Sequence, residues 1–292
     1  MPVTDLIDGI CRYADRRGAN HLPQPTEVEG LSIVRCRAPT LQEHSSYDPL
    51  LCLVLQGAKE SALGHERIRF GAGEALIVSL DLPTVSQVVE ASPSRPYVAL
   101  ALALDLAMLR GLADEIDAPG ESEGASRAIE TGVAAERLVA AMGQLFALVE
   151  DPVERRVMAP LLKREIHFRL LMAAHGGMLR RLALRDSHES RIHRVLGHIR
   201  TDYAAPLRVP DLADMAGMSP SSFHEHFRAI TASTPLQYIK DMRLLEARRQ
   251  IQAGGVAISG VAFAVGYESP AQFSRDYARK FGVAPRDDRA AA

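Results

Sequence analysis

At 292 residues, with 47% hydrophobic and 24% charged side chains and a formal net charge of −2, the chain is long enough for two domains and ordinary in composition for a globular protein. Cys11, Cys36 and Cys52 are odd in number and lack CxxC spacing, which speaks against a disulfide framework or a zinc ribbon. Asp5 and Asp8 stand where a signal peptide would be basic, and the aliphatic run 97–104 is cut by Asp105, short of the ~20 residues that span a bilayer, so a reducing cytoplasm is expected.

In chain order, the apolar segments LSIVRCR, PLLCLVLQG, ERIRF, EALIVSL, SQVVE and PYVALALAL alternate with Gly or Pro between residues 31 and 104. Short strands with regular turns predict a small β-barrel or jelly roll. From about 126 to 184 the pattern turns helical, with Leu138, Met142, Leu145, Leu161, Ile166 and Leu170 set among charges, as in helices that cap a barrel or join two chains. The polar stretch DSHESRIHRV (186–195) forms a junction. From residue 190 onward 14 Lys and Arg stand against 10 Asp and Glu, compared with 20 against 26 before it. That imbalance permits a nucleic-acid surface in the last third.

The last third contains a repeat. LADMAGMSPSSFHEHF (212–227) has a partner in VAFAVGYESPAQFSRDY (261–277): Gly217 matches Gly266, Ser219-Pro220 matches Ser269-Pro270, Phe223 matches Phe273, Phe227 matches Tyr277, and Pro235 matches Pro285. The offset grows from 49 to 50 because Glu268 lengthens the second turn. Each copy reads as a short apolar helix, a Gly turn and a second helix opened by Ser-Pro, since Ser caps and Pro tolerates the first helical position. Between them PLQYIKDMRLLEARRQIQAGG has helical spacing and ends at Gly254-Gly255. One such joining helix would hold two reading helices for consecutive major-groove segments, about 34 Å apart.

The HEH of the first copy could suggest a metal site. His224 and His226 lie about 200° apart on a helix, whereas a helical zinc pair needs i, i+4 spacing. With Phe223 and Phe227 as the buried side, Ser221, His224, Glu225 and Arg228 fall on the opposite arc, and His226 lies on the packed flank.

On these motifs, above all GYESPAQFSR and FGVAP, the segment Arg191 to Arg286 resembles the DNA-binding domain of the AraC/XylS family of bacterial transcription regulators. The stretch from PLLCLVLQG to PYVALALALD is similar to the cupin-type N-terminal domain of a subgroup of that family. The resemblance implies an α+β multidomain chain: a cupin-like effector-binding β-barrel domain at 1–125, a helical dimerisation or linker segment at 126–185, and an all-α DNA-binding domain at 186–292 with helix-turn-helix motifs at about 209–228 and 258–281. It assigns DNA contacts to Ser221, His224, Glu225 and Arg228 on the first reading helix, and to Ala271, Gln272, Arg275, Arg279 and Lys280 on the second. Many relatives carry Arg where Glu225 stands; a carboxylate can only accept, most naturally from cytosine N4. Implied partners are duplex promoter DNA, a second copy of the chain, a small organic effector and RNA polymerase. A catalytic cupin would carry a His-x-His, but the barrel region has only His44 and His65, so no metal or cofactor is expected. No GxxxxGK[ST] phosphate loop occurs. Two alternatives stay open: a metal-dependent cupin enzyme tethered to DNA, and a helical adaptor that does not bind DNA.

Overall fold

The structure, a computed structural model, describes residues 2–18, 21–64, 66–116, 127–174 and 176–290. Helix α1 (Val3–Arg16) precedes a run of antiparallel strands: β1 (Gln24–Pro25), β2 (Leu31–Cys36), β3 (Glu43–Tyr47), β4 (Leu50–Gln56), β5 (Ala58–Leu63), β6 (Glu66–Gly71), β7 (Glu74–Val78), β8 (Leu82–Glu90) and β9 (Tyr97–Ala103). After α2 (Leu106–Glu115) comes β10 (Ile129–Val133). The strands form a six-stranded sheet of order β1-β2-β9-β4-β7-β10 and a four-stranded sheet of order β3-β8-β5-β6. The β part is therefore two facing sheets rather than a closed barrel.

The larger sheet is buried on both faces, which explains its continuous apolar strands. Along β4, Leu51 and Leu53 join a core with α1 and the later helices, while Cys52 and Val54 turn toward the smaller sheet and its Leu63, Phe70, Leu82 and Val88. The outer layer holds α3 (Glu136–Ala147), α4 (Pro152–Met172) and α5 (Gly177–Ala183), with Leu138, Met142, Leu145, Ile166 and Leu170 buried. Two expectations are corrected here. The helical stretch does not begin at 126, because β10 pairs with β7 from Ile129↔Val78 to Val133↔Glu74. Leu161 does not face the core but is 57% exposed.

Helix α6 (His188–Asp202), capped by Ser187 Oγ accepting from the Ser190 N–H, leads into the helical third. There α7 (Val209–Ala216), α8 (Pro220–Thr231), α9 (Pro235–Ala253), α10 (Ile258–Ala264), α11 (Pro270–Phe281) and α12 (Pro285–Ala290) follow. The first helix pair does not stand apart from the β part. Ile192, Val195, Leu196, Phe223, Phe227 and Tyr238 share one buried cluster with Leu80 and Leu82. The Tyr238 hydroxyl donates to the Asp81 carbonyl at 2.8 Å, and the Ala128 N–H donates to the Ile230 carbonyl at 3.1 Å. A separate small core under α11 holds Leu244, Ile251, Val261, Val265, Phe273 and Tyr277.

Candidate nucleic-acid interface

The two helix-turn-helix copies repeat their backbone bonding. In the first, Gly217 is left-handed at φ 62, its N–H donates to the Asp214 carbonyl and the Met218 N–H to the Ala213 carbonyl. In the second, Gly266 has φ 83, its N–H donates to the Phe263 carbonyl and the Tyr267 N–H to the Ala262 carbonyl. Both turns thus close the preceding helix with the same pair of bonds, which needs a positive φ at the glycine. Ser219 and Ser269 then accept from the Ser222 and Gln272 N–H groups, and a proline opens each reading helix.

Burial follows the expected faces. Phe223 and Phe227 pack at 5.4 Å between centroids, Phe273 and Tyr277 at 5.5 Å, and all four are buried. Ser221, His224, Glu225 and Arg228 are exposed on α8, as are Ala271, Gln272, Arg275 and Arg279 on α11. His226 is half-buried, its ring stacked on His188 at 3.7 Å; burial and His188 depress its pKa. Among the described residues no group of three or more His, Cys, Asp or Glu could hold a metal ion. His65 lies outside the described residues.

The cations of α11 differ in their surroundings. Arg275 has no ion-pair partner among the described residues, whereas Arg279 pairs with Asp276 at 2.5 Å while staying 70% exposed. Lys280 is held within the protein by an ion pair. Its ammonium meets Asp241 of α9 at 2.6 Å with only 16% of the side chain exposed. It lines a cleft toward β3 with His44. Asp276, itself buried, also receives Lys240 at 3.0 Å, and α11 is thereby pinned to α9 by two ion pairs.

Sequence reading missed the residue that ties the two copies together. Arg243, on α9, donates from Nε to the Tyr203 carbonyl (2.7 Å), from one terminal nitrogen to the Gly266 carbonyl (2.9 Å) and from the other to the Ala205 carbonyl (2.8 Å). It joins the loop before α7 to the turn before α11. The only sequence signal was an arginine on a helix rich in basic residues. Asp288 of α12 similarly accepts from Arg248 Nε at 2.9 Å and from the Tyr277 hydroxyl at 2.6 Å.

Comparison with known proteins places this geometry. Residues 27–178 match the family described as AraC-type transcriptional regulator N-terminus, and residues 212–291 match a helix-turn-helix domain. The HTH-type transcriptional activator RhaS of Yersinia pestis (strain Pestoides F) is 29% identical over 102 residues, 35% of this chain and 37% of that protein, so the match spans little more than a third of the curated relatives' length. Unsaturated fatty acid bound wild-type ToxT from Vibrio cholerae strain SCE256 superimposes with a TM-score of 0.57 at 9% identity, covering 91% of this chain and 96% of that one. An apo ToxT variant gives 0.57 at 8% identity, covering 91% and 99%. These likenesses show a shared fold through both parts of the molecule. With an AraC-type N-terminus over more than half its length and a duplicated helix-turn-helix behind it, the chain belongs to the AraC family of DNA-binding transcriptional regulators.

Proposed function

We propose that the chain reads a specific operator through α8 and α11 and that its first part answers to a small organic effector. The observation that carries the DNA reading is the pair of exposed polar arcs on the two matched helices, with Arg275 unpaired at the second. Ser221, His224, Glu225, Ala271, Gln272 and Arg275 face base edges in this reading; Arg228 and Arg279 serve phosphates, and Lys280 joins them only where the ion pair with Asp241 is given up. Two terminal nitrogens of Arg275 can donate to guanine O6 and N7, worth ~1–3 kcal/mol of discrimination. Replacing Arg275 with Ala should therefore weaken cognate duplex binding about 5–150-fold while changing random duplex binding far less, and Gln272→Ala should do the same more weakly. Equal losses on both duplexes, measured by titration at one fixed salt concentration, remove Arg275 from base readout.

The functional division follows residues 1–125 for the effector, 126–185 for dimerisation and 186–292 for DNA. For the effector, the smaller sheet carries a group of polar side chains: Tyr47 and Ser61 hydroxyls lie 3.0 Å apart and Lys59 sits 5.6 Å from the Tyr47 ring. The shared fold of a ToxT structure that holds an unsaturated fatty acid favours an organic ligand over a metal or nucleotide. For the dimer, α4 displays Val153, Val157, Leu161, Phe168 and Met172 on one stripe, with Val153 77% and Met172 59% exposed. Such an exposed apolar stripe, interrupted only at Arg164 and Glu165, fits an isologous helix pair. Val157→Glu with Leu161→Glu should convert a dimer to a monomer in sedimentation, while dimers that persist would place the contact elsewhere. The reading is of a cytoplasmic regulator that contacts RNA polymerase at promoters and has no catalytic chemistry of its own. Among the described residues no helix is long and apolar enough to cross a membrane.

A further inference from the structure

A cavity of about 570 Å³ lies where α2 meets α6, and its charged lining is entirely basic: Arg110, Arg185, His193 and Arg194. None of these four has an ion-pair partner among the described residues, and no carboxylate lines the cavity. Two of their nitrogens, Arg110 Nε and His193 Nδ1, are buried without a hydrogen-bond partner. A buried donor left unmade is costly, and gathering three guanidinium groups around one cavity adds like-charge repulsion. The effect is registered at His193, whose pKa is depressed by burial first and then by Arg110 and Arg200.

We propose that this cavity binds a small organic anion with more than one acidic group, held by the guanidinium groups of Arg110, Arg185 and Arg194 and by the His193 imidazole. Guanidinium forks match carboxylate and phosphate oxygens alike, and the volume exceeds what a single inorganic ion needs. Duplex DNA is the less suitable anion. Ser190, His193, Arg194 and Gly197 sit at i, i+3, i+4 and i+7 on α6, one face of the helix. The contacts of α6 to the first helix-turn-helix leave from another face, through His188 stacked on His226 and Arg191 donating to the Gly217 carbonyl at 3.4 Å. An occupant would touch α2 of the first part and α6 of the last, so it would favour the arrangement of the two parts seen here. That last consequence rests on the effector-controlled reading; the site itself does not.

The test uses the full chain with citrate and inorganic phosphate as probes, titrated calorimetrically and by the His193 ring resonances. Saturable binding of either probe at about 1 mM or tighter, with an upward move of the His193 titration and a loss of about 10-fold or more in Arg110→Ala and in Arg194→Ala, supports the site. A preference for citrate assigns a polycarboxylate, and a preference for phosphate an organic phosphate. Arg110→Lys and Arg194→Lys, which keep charge but lose the fork, control for folding and should bind at intermediate strength. Absence of saturable binding by both probes overturns the proposal, as does binding that survives both alanine changes. It also fails if those changes instead lower random-duplex affinity and its salt dependence, which would make the cluster a DNA contact. The Arg275→Ala duplex titration, run without either probe, reports on DNA reading separately, so one inference can fail while the other stands.

Discussion

Arg243 shows how one side chain can set the spacing of two reading helices. Its three bonds go to carbonyls on two different segments, Tyr203 and Ala205 before α7 and Gly266 before α11. Hydrogen bonds from a charged donor contribute more than neutral ones, and a carbonyl that loses its donor pays for the bond left unmade. Arg243→Ala should therefore destabilise the helical third by about 2–3 kcal/mol. Arg243→Lys should recover little, because one ammonium cannot span three separated carbonyls. Thermal unfolding of both variants checks this, and a lysine variant as stable as the parent would show that charge alone suffices. The reading arcs were legible in the sequence because a Ser-Pro helix start and 100° per residue fix which positions oppose Phe223 and Phe273. The fates of Arg243 and Lys280 were not, since each depends on partners 23 to 40 residues away in the chain.

At the scale of elements, the two turn glycines look equivalent in the repeat but differ in their surroundings. A Cβ at Gly217 would meet only a terminal nitrogen of Arg191 at 3.7 Å, whereas one at Gly266 would come within 2.4 Å of the Ala204 carbonyl oxygen. Gly217→Ala should cost about 1 kcal/mol, the backbone strain of a left-handed non-glycine residue. Gly266→Ala adds a backbone clash and should cost about 3 kcal/mol or more, separable by chemical denaturation. Equal losses would mean that the Ala204 loop yields freely. The strands divide in a similar way by legibility. Those of the six-stranded sheet are buried on both faces, so LLCLVLQ and YVALALA announce themselves as apolar runs. The smaller sheet has half-exposed strands, and EHSSY (β3) and AKESAL (β5) carry too few apolar residues to stand out. β10 (IETGV) merged into the helical pattern that follows it, because only pairing with β7 makes it a strand. Helix α1 carries a signal of its own, since Leu6, Ile10 and Tyr13 follow helical spacing and are buried.

For the molecule as a whole, the contact between the β part and the helical third contains two titrating groups with opposite effects. His44 of β3 lies half-buried with its ring 5.0 Å from Phe281. Burial first, then Lys280 and Arg248, push its pKa from 6.5 down to about 4, against a weaker upward pull from Asp241. The folded arrangement prefers neutral His44, so its contribution is complete above pH 6.5 and is lost as pH falls through that value toward about 4. Asp81 is also at the contact, with its carbonyl accepting from Tyr238 and its carboxylate 3.3 Å from Arg200. Burial and the hydrogen bond with Asp48 outweigh Arg200 and raise its pKa from 3.8 to about 6. The folded arrangement prefers the protonated acid, so this contribution is complete below about pH 4 and is lost as pH rises toward 6. In the parent the two slopes oppose each other across the same window and partly cancel. Separating them gives the test: His44→Phe, which keeps a ring against Phe281, should gain stability relative to the parent as pH falls from about 6.5 to 4, whereas Asp81→Asn should lose it relative to the parent over the same descent. Melting temperatures of the three proteins across that range decide it. A difference curve for His44→Phe that stays flat would show that the ring is equally protonated in the folded and unfolded chain, and the packing of β3 against α11 would then carry no pH dependence.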